Sequence, residues 1–151
     1  MTSDPRVDSI QALVGTRLGP SDWLLVDQER VDRFADATDD HQWIHVDVER
    51  AATGPFGGTV AHGYLTVSLL PALASPLLPT DGFASRLNYG SDKVRFPAPL
   101  RVGTRVRAWS TPVSVEVTDR GVLVKQRVEI EAEGSERPVC VAEALALLIP
   151  D

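Results

Sequence analysis

The chain has very little cysteine: a single one, Cys140, in 151 residues. One cysteine cannot form an internal disulfide, so the sequence excludes a disulfide-stapled fold and is typical of a reducing compartment. Cys140 lies in the apolar run of residues 139–142, which predicts a small buried thiol rather than a nucleophile. A chain of this length can bury a core within one domain without metals or disulfides.

The chain also lacks a long hydrophobic run. No stretch approaches the roughly 20 apolar residues that a membrane-spanning helix needs. Residues 1–8 lack the apolar core of a secretory signal. The sequence therefore predicts a soluble, cytoplasmic protein with no membrane partner.

The chain also has no excess of positive charge. Lys and Arg number 15 against 21 Asp and Glu, a net charge of −6, which argues against a nucleic-acid partner. Residues 84–107 depart from this balance, because they contain a single acid, Asp92, and a cluster of bases: Arg86, Lys93, Arg95, Arg101, Arg105 and Arg107. A local basic surface suits a small polyanionic ligand such as a nucleotide-bearing thioester carrier. Solvated strand faces would account for about half of these side chains.

The first half of the chain has helical periodicity. Residues 20–27 predict a short strand, and Asp27 can then cap a helix that ends just before Asp40. The residues of its buried face recur at i, i+3, i+4 and i+7, namely Val31, Phe34, Ala35 and Thr38.

A second helical segment follows a connector of helix breakers at residues 53–58. Residues 59–63 lead into residues 64–70, which are apolar nearly all round, and a helix with no polar face has to be enclosed. We therefore predict a central buried helix, which Pro71 kinks or ends near Leu70.

The second half alternates with the period of strands. Residues 102–108 and 122–130 predict half-buried antiparallel strands, and residues 139–149 predict an interior strand. One face of the last strand consists of small residues, which let a helix approach closely: Cys140, Ala142, Ala144 and Ala146. Hairpin turns are predicted at residues 117–121 and 133–136. The predicted order is helices first and then a meander.

These elements predict an α+β fold in which a curved antiparallel β-sheet is wrapped around a central buried α-helix. Residues 1–151 form a single domain, with residues 1–19 as a peripheral N-terminal segment. Such a sheet has open edges, which two copies can cover by joining edge to edge, so we predict a homodimer.

A carboxylate and an imidazole stand five residues apart at Asp40 and His45. A carboxylate can accept a proton, and an imidazole can accept or return one. Two such groups converging on one water molecule would suit adding water to an activated double bond, or removing it. The pair alone is equally compatible with Asp40 capping a turn and His45 bonded to the backbone.

The segment Asp40-His41-Gln42-Trp43-Ile44-His45, together with His62-Gly63 and Arg95-Phe96-Pro97, resembles the MaoC-like family of (R)-specific enoyl-CoA hydratases. The resemblance covers roughly residues 20–150 and implies the hot-dog fold. The family signature runs Gly-Asp-x-Asn-Pro-x-His, and its two reactive groups fall on Asp40 and His45. Three signature positions differ here, with Asp39, Gln42 and Trp43 in place of glycine, asparagine and proline. Aspartate tolerates the left-handed backbone that glycine favours.

By this resemblance Asp40 and His45 activate water toward a 2-enoyl thioester, and the backbone N–H of Gly63 stabilises the thioester oxygen. Candidate substrate-binding residues are Gln42, His62, Asn88, Tyr89, Lys93, Arg95 and Arg101, with the three cations serving the carrier's phosphates. The alternative for His62 is a buried histidine that fixes the loop. The alternative for Tyr89 is a packed residue of a strand. The substrate is acyl-CoA, or acyl carried on acyl carrier protein, and no separate cofactor is implied.

Other functions use the same residues differently. A metal site could form from His41, His45, His62 and Asp40 if residues 40–45 were helical. Their sequence is typical of a loop, so we predict no metal. A thioesterase of the same fold is a closer alternative. The third alternative is a non-catalytic partner subunit of a heterodimeric dehydratase. The presence of both Asp40 and His45 argues against this role.

Overall fold

One antiparallel sheet forms the centre of the structure, a computed structural model that describes residues 4–151. Its strands are β1 (Leu24–Val26), β2 (Phe83–Arg95), β3 (Thr104–Thr118), β4 (Gly121–Ala132) and β5 (Cys140–Pro150). They lie in the order β1-β3-β4-β5-β2, which leaves β1 and β2 at the edges. The sheet curls against the helices, as the α+β prediction required.

The helices are α1 (Pro5–Gln11), α2 (Gln28–Thr38), α3 (Trp43–Val46), α4 (Val48–Ala52), α5 (Gly63–Ser68) and α6 (Leu70–Ala74), with a 3₁₀ turn at Ser75–Leu77. Asp27 caps α2 as predicted, because its side chain accepts from the Arg30 N–H at 2.9 Å. The helix ends at Asp39, whose backbone is left-handed with φ 59°. The aspartate therefore adopts the left-handed conformation that glycine favours.

The predicted central helix consists of α5 and α6, joined at Leu69, with Pro71 in the first turn of α6. Proline fits there because the first N–H groups of a helix have no intrahelical acceptor. The predicted complete enclosure is wrong for a single chain, since Tyr64 is 76% exposed. The helices contact the sheet on one side only, so their opposite side faces outward.

The core lies between these helices and the sheet. Leu65, Leu69 and Leu73 belong to the same buried cluster as Cys140 and Ala142, so the small face of β5 receives the helices as predicted. Cys140 is fully buried, and burial raises the pKa of its thiol to about 11. The prediction of a structural rather than nucleophilic cysteine agrees with this placement.

Strand order departs from the predicted simple meander. Strands β3, β4 and β5 do follow one another through the predicted turns, and β5 is interior. However, β2 pairs with β5 instead of its sequence neighbour β3, and β1 pairs with β3 from the other edge. Alternation in the sequence shows which face of a strand is buried but not which strand lies beside it.

The N-terminal segment contributes to packing. Helix α1 buries Ile10 completely, in a cluster with Leu78, Val124 and Leu148. Residues 1–3 of the predicted peripheral segment lie outside the described residues. Within residues 4–151 the helices are too short or too polar to cross a lipid bilayer.

Candidate active site

His45 is a buried histidine, 7% exposed, in the short helix α3. Its Nδ1 lies 2.6 Å from the carbonyl oxygen of Val60. A carbonyl can only accept, so Nδ1 carries a proton and donates it to Val60. In the neutral ring this leaves the lone pair on Nε2, where His45 can act as a base.

Asp40 lies at the surface, directly after the left-handed Asp39. Its Oδ1 accepts a long hydrogen bond of 3.4 Å from the backbone N–H of Gln42. Its backbone carbonyl accepts from Nε2 of His62 at 2.9 Å. Two hydrogen bonds, one to the Asp40 side chain and one to its backbone carbonyl, therefore hold the loop that carries the carboxylate.

His62 is 2% exposed and stacks on His45, with ring centroids 3.8 Å apart and an angle of 25° between the planes. Because Nε2 donates to the Asp40 carbonyl, the lone pair of His62 is on Nδ1 in the neutral ring. That atom is buried without a hydrogen-bond partner among residues 4–151. The geometry matches the predicted alternative in which a buried His62 fixes the loop.

The structure brings three functional groups together. A carboxylate oxygen of Asp40 and one ring nitrogen each from His45 and His62 lie within 4.8 Å of one another. A single water molecule making two hydrogen bonds of about 2.8 Å can bridge groups at this separation. Asp40 and His45 therefore converge as the sequence predicted, across a loop and a helix start.

The same three groups could also be considered as metal ligands. An imidazole lone pair lies in the ring plane, so two stacked rings cannot both direct one at an ion about 2.0 Å away. The fourth residue considered from the sequence, His41, turns away and contacts Asp36 at 2.9 Å, which raises the pKa of His41. The arrangement favours a bound water over a metal ion.

Gly63 begins α5 directly after His62. Its N–H belongs to the first turn, where the N–H groups have no intrahelical acceptor. The positive end of the helix dipole also lies there. A Cβ at this position would lie 2.8 Å from the ring of Phe96, so the close packing of Phe96 requires glycine. The helix start is thereby covered by the end of the Arg-Phe-Pro segment.

The other predicted substrate-binding residues are more scattered. The Gln42 side chain makes no capping hydrogen bond and is exposed beside Asp40. Asn88 and Tyr89 lie on β2, and Tyr89 is 56% exposed rather than packed. Both are farther along β2 from the segment that covers Gly63. Their roles in binding remain predictions.

The three predicted cations also differ from one another. Lys93 and Arg95 are exposed near the end of β2, close in sequence to Phe96. Arg101 instead donates to the carbonyl oxygens of Phe56 at 2.7 Å and Gly57 at 3.1 Å. It fixes the glycine-rich connector, a contact that the sequence did not predict.

Sequence reasoning missed two residues that position His45. Val60 supplies the carbonyl that fixes its tautomer, and Gln28 donates to the His45 carbonyl at 2.8 Å. Gln28 also accepts from the Thr59 hydroxyl at 2.7 Å. No local pattern could have indicated these contacts, because they join residues 15 to 31 positions apart.

Solved structures place this architecture in a known class. The (R)-hydratase from A. caviae involved in PHA biosynthesis superposes with a TM-score of 0.71 at 23% identity, over 89% of this chain and 96% of that one. A curled antiparallel sheet packed on these helices is the hot-dog fold.

The chain belongs to the MaoC-like domain family, whose model matches residues 9–134. It is 51% identical over 140 residues to 3-hydroxyacyl-thioester dehydratase Z of Mycobacterium tuberculosis, covering 92% of this chain and 93% of that protein. It is 42% identical over 142 residues to Nodulation protein N of Rhizobium leguminosarum, covering 92% and 88%. The predicted family and hot-dog fold are thus confirmed.

Proposed function

We propose that the protein is an (R)-specific enoyl-CoA hydratase, or 3-hydroxyacyl thioester dehydratase in the reverse direction. The convergence of Asp40 and His45 within 4.8 Å is the observation that supports this most directly. The similarity to 3-hydroxyacyl-thioester dehydratase Z adds to it. Coenzyme A enters as part of the substrate.

In the hydration direction, Asp40 and His45 hold one water against the β-carbon of a trans-2-enoyl thioester. One of the pair removes a proton from the water as its oxygen bonds to the β-carbon. The electrons of the double bond move toward the thioester oxygen, giving an enolate. A proton is then returned to the α-carbon from the same side, which completes the 3-hydroxyacyl thioester.

The enolate oxygen needs a hydrogen-bond donor that is already in place. The Gly63 N–H serves this purpose, because it projects from a helix start next to His62 and His45. A fixed donor aimed at a developing negative charge is worth roughly 3 kcal/mol of transition-state stabilisation. We expect Lys93 and Arg95, which are exposed near Phe96, to contact phosphates of the carrier.

The direct test supplies the purified protein with trans-2-enoyl-CoA substrates of short, medium and long chain. We expect loss of the conjugated double bond and formation of the (R)-3-hydroxyacyl-CoA. Release of free coenzyme A without hydroxylation would instead indicate a thioesterase. No reaction from the chain alone, with activity restored by a second subunit, would indicate a non-catalytic partner.

We also propose that the protein forms a homodimer through strand β2. This edge strand is 13 residues long, and two large apolar side chains on it, Leu87 and Tyr89, are 48% and 56% exposed. An uncovered edge of this length readily pairs with another strand. Two copies related by a twofold axis would extend the sheet across both chains.

Sedimentation velocity at micromolar concentration should give the mass of a dimer for the wild type. Leu87→Lys should shift the population toward monomer, because it replaces an exposed apolar residue in the middle part of β2 by a charge. The matched control is Val117→Lys, which alters an exposed apolar residue on the β3–β4 hairpin and should remain dimeric. A wild type that sediments only as a monomer contradicts the proposal.

A further inference from the structure

A cavity of about 320 Å³ lies between the helices and the edge of the sheet. Its helical wall includes Val67, Leu70 and Pro71. Its sheet wall includes Ala144 and Ala146 of β5. A cavity with these apolar walls, at the end of α5 and the start of α6, is suited to an acyl chain.

Arg86 is an unexpected member of this cavity. It pairs with Leu148 across the β2–β5 ladder, and Asn88 pairs with Ala146, so both residues occupy the sheet face that carries the small residues of β5. The Arg86 atoms Nε and Nη1 are buried without a hydrogen-bond partner among residues 4–151. Burial also lowers the pKa of Arg86.

Guanidinium nitrogen atoms that are buried without acceptors are costly, and native proteins rarely leave them so. The ion pairs formed by the described residues do not include Arg86. The cavity is not wholly apolar either, because Ser68, Asn88 and Ser91 also line it. The β2 side of the cavity is therefore cationic and polar, whereas apolar residues of β5 and of the helices form most of the remaining lining.

The cavity lies farther along the helices than the proposed reaction centre. Val67 follows Gly63 by four residues, about 6 Å along the axis of α5, and Pro71 lies farther on, in α6. A thioester oxygen at Gly63 would therefore place the far end of a medium-length acyl chain near Arg86. Nearer carbons would contact the apolar wall.

We propose that this cavity accepts an acyl chain ending in a carboxylate, and that Arg86 binds that carboxylate. The inference rests on the proposed hydratase function and adds a substrate class to it: 2-enoyl thioesters of dicarboxylic acids. A guanidinium can bind a carboxylate through two parallel hydrogen bonds, which are stronger when the groups are removed from water.

The kinetic test compares trans-2-octenoyl-CoA with its ω-carboxylated analogue, for the wild type and for Arg86→Met. The wild type should favour the carboxylated substrate in kcat/KM, and the substitution should reduce the ratio of the two values by tenfold or more. Arg120→Met removes an exposed cation on the β3–β4 hairpin and should leave the ratio unchanged. An unchanged ratio in Arg86→Met overturns the inference.

A binding test needs no turnover. Octanedioate, but not octanoate, should raise the Tm of the wild type, and Arg86→Met should abolish that shift. Arg86→Met should itself unfold at the same temperature as the wild type or higher, because it removes two nitrogen atoms that are buried without a hydrogen-bond partner. A large loss of stability would mean that Arg86 has a structural partner, and the inference would fail.

The outcomes separate this inference from the proposed function. Hydration of trans-2-octenoyl-CoA without preference for the carboxylated analogue would leave the hydratase proposal standing and remove this one. Absence of hydration with either substrate would remove the proposed function. If a carboxylate of a second copy occupies Arg86 instead, Arg86→Met would weaken the dimer in sedimentation, which also overturns the inference.

Discussion

Replacing His45 by Gln is expected to lower kcat/KM for enoyl-thioester hydration by about 100-fold or more, the usual contribution of a positioned acid or base. The glutamine amide can still donate to the Val60 carbonyl, so the buried contact at 2.6 Å has a substitute. It cannot accept a proton as Nε2 of the imidazole does. Steady-state kinetics and thermal unfolding of the same preparation separate catalysis from folding.

Asp40→Asn should have an effect of similar size, because it keeps the shape of the side chain and removes its basicity. His41→Gln is the matched control, since His41 is the neighbouring exposed histidine and contacts Asp36 instead of the catalytic pair. It should retain wild-type turnover. A wild-type rate in either His45→Gln or Asp40→Asn would contradict the mechanism.

The local features of this site could be predicted from the sequence. The family resemblance assigned the two reactive groups to Asp40 and His45, and the tolerance of aspartate for left-handed backbone explains how Asp39 replaces glycine at φ 59°. Both depend on residues a few positions apart, where local geometry limits the possible arrangements. The convergence within 4.8 Å also includes His62, which donates to the Asp40 carbonyl from 22 residues away.

What could not be predicted depends on long-range contacts. The tautomer of His45 is set by Val60, and the connector is held by Arg101, 45 residues away from Phe56. A basic residue in a sequence window suggests a phosphate ligand, yet this guanidinium donates to backbone carbonyls. Sequence composition gives the charge of a side chain but not the acceptor that it finds.

The pairing of β2 with β5 could not be predicted from the sequence for a similar reason. The alternation in β3, β4 and β5 predicted their hairpins, because short turns leave consecutive strands little choice. Strand β2 precedes β3 in the sequence but pairs with β5 across the sheet. That pairing places Arg86 in the lining of the cavity beside the helices. The charge of the cavity therefore depends on the strand order of the sheet.

The Gly63 N–H can be tested by two substitutions that differ in one respect. Gly63→Ala and Gly63→Pro both add a Cβ where the Phe96 ring lies 2.8 Å away, and both require that ring, which is 43% exposed, to shift. Only proline removes the N–H. We expect Gly63→Pro to have a kcat about 100-fold to 1000-fold below that of Gly63→Ala, the usual loss for one oxyanion donor.

The backbone at this position is compatible with proline. The first position of a helix favours it, and His62, with φ −57° and ψ 138°, already has the extended conformation that a residue before proline adopts. Both variants should therefore unfold at similar temperatures, so the kinetic difference reports on the missing donor. Equal kcat values in the two variants would mean that the thioester oxygen is stabilised elsewhere, and the start of α5 would then serve to hold His62 against His45 rather than to bind the substrate.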